Sequence, residues 1–183
     1  MSLLEVTDMS LKHVPTGKNA PEEFNVVIEI PMNSDPIKYE VDKETGALMV
    51  DRFMGTAMYY PCNYGYIPQT LGEDGDPLDA LVYTPFALQA GCVVRCRALG
   101  VLQMEDEAGM DAKLLCIPVT KLLPALAKVE KPSDLGELFL KQIQHFFEHY
   151  KDLEAGKWVK VTGWADAAVA KKEVVDAIAR VKV

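Results

Sequence analysis

The stretch Glu73-Asp74-Gly75-Asp76-Pro77-Leu78-Asp79 places four carboxylates within seven residues, broken by one glycine and one proline. Pro77 removes a backbone donor and clashes with a preceding helical turn, and Gly75 weakens any regular element. The stretch therefore predicts an irregular loop rather than a helix. In such a loop Asp74, Asp76 and Asp79 can converge on one small volume. Two like charges about 5 Å apart repel by about 3 kcal/mol at an effective dielectric of ~20. Three such pairs would take a large share of a domain's stability. Convergence requires protons or cations, and hard divalent cations are the usual partners of carboxylate oxygens. The competing reading is a solvated acidic turn with its side chains splayed.

Upstream of this loop the chain reads as strands. Residues 24–30, FNVVIEI, are a β-branched run with Glu29 embedded in it, pointing either to solvent or into a polar site. Residues 36–41 alternate with period 2, which puts Lys38 and Glu40 on one face. Lys43-Glu44-Thr45-Gly46 reads as a hairpin turn, and residues 47–54, carrying Arg52, as its return strand. Residues 59–66 contain Tyr59, Tyr60, Tyr64 and Tyr66 in a context of Pro61, Asn63 and Gly65, which predicts a loop. Its tyrosines either pack over the core or offer neutral donors to phosphate oxygens. Residues 1–21, polar and punctuated by Pro15, Gly17 and Pro21, predict an N-terminal arm on the surface.

Downstream, residues 80–84, 91–99 and 113–119 are strand-like, and residues 101–104 lead to a second acidic cluster, Glu105-Asp106-Glu107, which precedes Asp111 and Lys113. From Ser133 the period changes. Leu135, Leu138, Phe139, Ile143, Phe146, Phe147 and Tyr150 recur at helical spacing, predicting a helix capped by Ser133 or Asp134. Residues 157–164 read as a last strand and 166–181 as a closing helix with Val169, Val174, Ile178 and Val181 inward. Many short strands followed by helices predict a twisted barrel or sheet with appended helices, in a single domain over 1–183.

The composition is that of a soluble globular protein, 49% hydrophobic and 25% charged. A net charge of −8 with no basic run argues against nucleic acid as a partner. Met1-Ser2-Leu3-Leu4-Glu5 lacks the basic and apolar regions of a signal peptide, and no run has the apolar length of a membrane span. Cys62, Cys92, Cys96 and Cys116 show no CxxC or zinc-ribbon spacing, which predicts reduced thiols in a cytoplasmic protein.

Short patterns compete with these readings. Asp74-x-Asp76-x-x-Asp79 lacks the sixth-position glycine and twelfth-position glutamate of an EF-hand. It also lacks the strand and spacer of a haloacid-dehalogenase loop. His145-Phe146-Phe147-Glu148-His149 matches the HxxEH of inverted zinc peptidases, but its phenylalanines read as core-facing and a third ligand is unspecified. The stronger signal is a set. Carboxylates at Asp74, Asp76, Asp79, Asp106 and Asp111 accompany cations at Lys38, Arg52, Lys113 and Lys151 and hydroxyls at Tyr60, Tyr64 and Tyr150. Metals beside a ring of Lys, Arg and Tyr suit phosphoryl transfer. An acidic cation-binding module would not need the cations and tyrosines.

DGDPLDALV (74–82) fits the signature of the soluble family I inorganic pyrophosphatases. VVIEIPMNSDPIKYE (26–40), GALMVDRFMGTAMYYPCNYGYIPQTL (46–71), EDEAGMDAKL (105–114) and HFFEHYKDLEAGKWVKVTGW (145–164) also resemble the bacterial members. The resemblance spans about residues 24 to 166. It implies a mainly β fold with α, a five-stranded OB-like barrel with two helices packed outside. It implies Mg²⁺-dependent hydrolysis of pyrophosphate to two phosphates, with several Mg²⁺ per site, Mn²⁺ or Zn²⁺ as substitutes, and metal ligation by Asp74, Asp79, Asp106 and Asp111. It assigns Asp76 as base for the attacking water, and Lys38, Arg52, Tyr64, Lys113, Tyr150 and Lys151 to the substrate. Glu29, Glu40 and Tyr60 form the surrounding polar shell. It further implies a cytoplasmic homohexamer with His145 and His149 at subunit contacts.

Overall fold

Phe24–Ile30 (β1) is the strand that closes the architecture, because both of its edges are paired. In the computed structural model, which describes residues 10–181, Asn63–Tyr66 (β4) is antiparallel to β1 on one side. Val93–Asp106 (β6) is antiparallel to it on the other. β4 continues antiparallel to Asp79–Val82 (β5), which lies parallel to Lys113–Pro118 (β8), and β8 returns antiparallel to β6. The order β1-β4-β5-β8-β6 thus runs back to β1 as a ring of five strands, the number that the family resemblance implies. Gly109–Met110 (β7) and Val159–Asp166 (β9) add to β6. Ile37–Val41 (β2) and Leu48–Phe53 (β3) form a separate hairpin.

The period-2 alternation divides the core between the two faces of the strands. Ala80, Val82, Leu114 and Cys116 join Ala170, Val174 and Ala177 of helix α2 (Ala167–Val181). The intervening Leu81 and Leu115 join Ile143, Phe146 and Phe147 of helix α1 (Glu137–His149). Each helix covers one cluster.

Several local expectations change. Residues 63–66 form a strand, not a loop, because long-range contacts override local propensity. The Asn63 amide donates to Val82 O and Thr84 Oγ1 and accepts from the Met32 and Leu88 amides, so this buried side chain is fully used. Gly65 lets β1 approach so closely that a Cβ there would lie 1.8 Å from Val27 O. The strand expected over 91–99 starts at Val93 and runs on to Asp106 as β6, with an irregularity at Gly100, where a Cβ would meet Ala165 O and Pro132 Cγ at 2.5 Å. Neither Ser133 nor Asp134 caps α1. Both lie in a 3-10 turn (Pro132–Leu135), where Asp134 accepts from the Glu130 and Lys131 amides, and α1 begins after Gly136. β9 starts at Val159 rather than at 157, and Asp166 caps α2 through the Ala168 and Val169 amides. Leu138 is 73% exposed and Val181 49%, so neither is a core residue; Ala170 and Ala177 take the inward positions on α2.

Of the arm expected over 1–21, residues 10–21 run along the surface with Thr16 buried, pinned by hydrogen bonds. Ser10 Oγ donates to Thr45 O, Thr16 Oγ1 to Pro68 O and Asn25 Nδ2 to Pro15 O. The rest of that arm, and the signal-peptide reading of residues 1–5, lie outside the described residues. No helix among the described residues is long and apolar enough to cross a membrane, and Cys62, Cys92, Cys96 and Cys116 are free thiols.

Candidate active site

The hairpin β2–β3, the β5 edge of the ring and the end of α1 surround one cavity of about 400 Å³. Every residue singled out for the site lines it: Glu29, Lys38, Glu40, Arg52, Tyr60, Tyr64, Asp74, Asp76, Asp79, Asp106, Asp111, Lys113, Tyr150 and Lys151. Asp79 and Lys113 open β5 and β8 and face each other in register across the parallel pair, so sheet pairing alone joins them. Lys38 and Arg52 are opposite each other in the hairpin. A two-residue offset puts Asp111 beside Lys113, and Lys113 Nζ forms ion pairs with both Asp79 and Asp111. Lys151 Nζ sits 2.7 Å from Asp106 Oδ2.

Burial and charge set the protonation states. Burial pushes the Asp79 carboxyl up to about 6; the Lys113 ammonium pulls it down and Asp111 pushes it up again. Burial also opposes the Lys113 ammonium, yet its two carboxylate partners overcome this and hold it well above the usual lysine range. Asp74 is raised by burial, against the Asp76 amide, and by the charge of Asp111, with which it lines a second, smaller cavity. Burial works against ionisation of Asp106, but the bonds from Lys151 and the Ala108 amide win and hold it below the ordinary range. Glu29 is pushed up to about 8 by burial, against the Val41 amide that donates to it at 2.7 Å, so burial favours its neutral form.

The tyrosines form the apolar wall. Tyr60 packs against Tyr64 at 5.0 Å and Phe146 at 4.6 Å between ring centroids, and Phe146 stacks on Tyr150 at 5.3 Å. Burial raises all three phenols, Tyr60, Tyr64 and Tyr150, well above the ordinary tyrosine range, which keeps their hydroxyls neutral donors. At the mouth, Asp76 is 66% exposed and its Oδ1 meets Lys43 Nζ at 2.5 Å. Arg52 is oriented by Asp51 through Nη1 at 2.7 Å and by Glu154 through Nε at 3.4 Å.

Lys43, Glu107 and Lys157 also line the cavity and were not singled out in the sequence. Lys43 reads as an ordinary turn residue, and no spacing joins it to Asp76. Lys157 pairs with Glu107 at 2.6 Å, and Glu107 is shared with Lys151 at 3.5 Å; here the acidic run at 105–107 was the available signal. His145 and His149 are outside the cavity, on an exposed face of α1 with ring centroids 4.6 Å apart; His149 Nδ1 pairs with Asp152 at 2.9 Å and Glu148 with Gln144. The zinc-peptidase pattern therefore has no site around it.

Among the described residues no three carboxylate, histidine or cysteine groups already converge closely enough to hold a metal ion. The donor set nevertheless fits a hard divalent cation. Asp79 and Asp111 already meet at a positive charge, the Lys113 ammonium, with Asp74 near enough to repel Asp111. Carboxylates on the floor and ammonium, guanidinium and phenol groups around them define a class: a hydrolase of phosphorylated anions.

The comparisons with known proteins agree. Residues 26–182 match the family model described as inorganic pyrophosphatase. An inorganic pyrophosphatase of Yersinia pestis is 63% identical over 174 residues, 95% of this chain and 99% of that protein. The solved inorganic pyrophosphatase of Coxiella burnetii superposes with a TM-score of 0.88 at 54% identity, covering 91% of this chain and 99% of that one. That of Thermus thermophilus gives 0.89 at 47% identity, covering 95% and 99%. The chain belongs to the inorganic pyrophosphatase family.

Proposed function

We propose that this protein hydrolyses inorganic pyrophosphate to two phosphates with the help of several divalent cations, Mg²⁺ foremost and Mn²⁺ or Zn²⁺ as substitutes. One observation carries this reading: buried carboxylates and a ring of cations and neutral phenols share one cavity, in a chain of this family. Asp74, Asp79, Asp106 and Asp111 would hold the metal. Bound there, divalent ions neutralise phosphate charge and bring the pKa of a coordinated water near neutrality.

The chain's own residues do the rest. Asp76, at the mouth, accepts the proton of the attacking water. Lys38, Arg52, Lys113 and Lys151 hold the phosphate oxygens and offset the charge that builds on the leaving phosphate as the P–O–P bridge breaks. Tyr64 and Tyr150 donate neutral hydrogen bonds to the same oxygens. Glu29, Glu40 and Tyr60 form the polar shell, with Glu40 bonded to Lys38. Phosphate release from pyrophosphate, measured with Mg²⁺ and with the metal chelated, tests the reading. Tight Mg²⁺ binding with no phosphate release would reduce the protein to a cation-binding module.

Arg52 provides a sharper test of the cation ring. Lysine keeps the charge but loses the planar fork that Asp51 and Glu154 pre-orient. Arg52→Lys should lower kcat/KM at least ~10-fold, about 1.4 kcal/mol of transition-state stabilisation. Kinetics equal to wild type would make Arg52 a surface strand charge.

We further propose a cytoplasmic homohexamer that acts on pyrophosphate without nucleic acid or membrane as partner. Free thiols and a net charge of −8 support the location and the absence of nucleic acid. For assembly the support is an exposed face of α1 on which Leu138, 73% exposed, shares a stripe with His145 and His149. Light scattering at neutral pH should give six times the 20.3 kDa chain mass. A monomer mass would refute this assembly.

A further inference from the structure

The acidic loop is held from behind by the end of helix α2. Leu71, three residues before Asp74, is clasped on both sides of its peptide. Its N–H donates to Ala177 O at 3.0 Å, and its carbonyl accepts from Arg180 Nη1 at 3.1 Å. The second arm of the same guanidinium, Nη2, reaches Glu73 Oε1 at 3.3 Å. The planar fork therefore bridges two residues immediately ahead of the first carboxylate of the site.

From this clasp the position of Asp74 is passed along the loop. Gly72 N–H donates to Asp76 O at 2.6 Å, and Asp76 N–H donates to Asp74 Oδ1 at 3.0 Å. Gly72 leaves no room for slack, since a Cβ there would lie 2.8 Å from Asp74 Oδ1. A small cavity of about 60 Å³, lined by Arg180 together with Asp74, Asp79 and Asp111, lies at the same place. Arg180 does not line the large cavity. Its hydrogen bonds meet the site through the loop it grips.

We propose that Arg180 is a positioning residue for the acidic loop, holding Asp74 and its neighbours at the spacing at which they take a divalent cation. The proposal rests on the reading of that loop as metal-binding. The Glu73 contact is solvent-exposed and screened, so the bond to Leu71 O is the stronger restraint. A purely structural role is also open to this residue, because a cation in the last turn of a helix favours the helix itself. The two roles differ in what they move: helix stability shifts Tm, whereas loop positioning shifts metal affinity.

The test uses the full chain, stripped of metal, as wild type, Arg180→Ala and Arg180→Lys. Calorimetry reads the Mg²⁺ Kd, and pyrophosphate hydrolysis at increasing Mg²⁺ reads the half-activating concentration and the kcat at saturation. In Arg180→Ala both the Kd and the half-activating concentration should rise ~3- to 10-fold, the loss expected for a charge-assisted bond in a half-exposed setting. The kcat at saturating Mg²⁺ should stay within about two-fold, because metal at saturation re-forms the loop. Arg180→Lys keeps one donor for Leu71 O and should recover part of the affinity. A lower Tm with a wild-type Mg²⁺ Kd overturns the proposal and leaves Arg180 a helix residue. If Arg180→Ala does not fold, Arg180→Met keeps the aliphatic stem without a donor and carries the same expectation, and a wild-type Kd in it overturns the proposal equally. A wild-type protein that binds no Mg²⁺ overturns the metal reading itself, and does so before any variant is compared.

Discussion

Asp76→Asn should leave Mg²⁺ binding near wild type and cut turnover by roughly 10²- to 10⁴-fold, the usual worth of a placed general base. Its neighbour Asp79, three residues on, should behave in the opposite way. The structure gives a reason to separate two carboxylates that composition treats alike. Asp76 stands at the solvent-exposed mouth in an ion pair with Lys43, where water has access to it. Asp79 opens β5, locked in register with Lys113 and raised by burial. Asp79→Asn replaces a charged oxygen of the floor with a neutral one and should raise the Mg²⁺ needed for half activity, with partial recovery of turnover at high Mg²⁺. Both variants should fold, since Asp76 is exposed and Lys113 keeps Asp111 as its partner when Asp79 is neutral. Mg²⁺ titration of activity beside calorimetric Mg²⁺ binding decides the matter. Recovery of full turnover by Asp76→Asn at saturating Mg²⁺, with weakened binding, would make Asp76 a ligand and not the base.

The second large effect is expected at Lys113. Its side chain is only 4% exposed, and it is the shared counter-ion of Asp79 and Asp111. Lys113→Ala leaves two buried carboxylates facing each other, and removing one partner of a buried ion pair costs about 3–5 kcal/mol. The same change removes a cation from the phosphate oxygens and should lower kcat by ~10²- to 10³-fold.

The stability loss should depend on pH with a definite sign. A carboxyl whose folded pKa is raised, as that of Asp79 is to about 6, gives stability that is fully present below its unfolded pKa and is lost as pH rises through the folded value. Without Lys113 that value rises further. In chelator, the deficit of Lys113→Ala against wild type should therefore be smaller near pH 4 and grow up to and beyond pH ~6. Added Mg²⁺ should restore more Tm to the variant than to wild type, because the cation takes the place of the lost ammonium. A deficit independent of both pH and Mg²⁺ would mean that Lys113 contributes packing alone.

The legible parts of the sequence were those in which a local pattern had one outcome. The β-branched run 24–30, the alternating Lys38 and Glu40, the turn before Arg52 and the loop forced by Gly75 and Pro77 all appear where periodicity and turn chemistry put them. The residues proposed for the site form one set of chemistries within a recognisable family pattern, and one cavity collects all of them. Residues 63–66 were not legible as a strand, since Asn63 and Gly65 are poor strand formers by themselves. Their strand depends on Val82, Thr84, Met32, Leu88 and Val27, none of which is close in sequence.

The sequence by itself determined the types of element, the acidic loop and the stock of carboxylates, cations and phenols. These follow from steric limits on Gly and Pro, from side-chain periodicity and from charge, all of which act over a few residues. Only the tertiary structure decided which charges neighbour one another. Lys43 meets Asp76 across 33 residues of chain, Lys151 meets Asp106 across 45, and Arg180 grips Leu71 across 109. Such pairings arise when the strand ring closes and the helices seat on their apolar faces. The energy that brings these groups together comes from burial of the core, and the charges take the partners that the packed backbone places within reach.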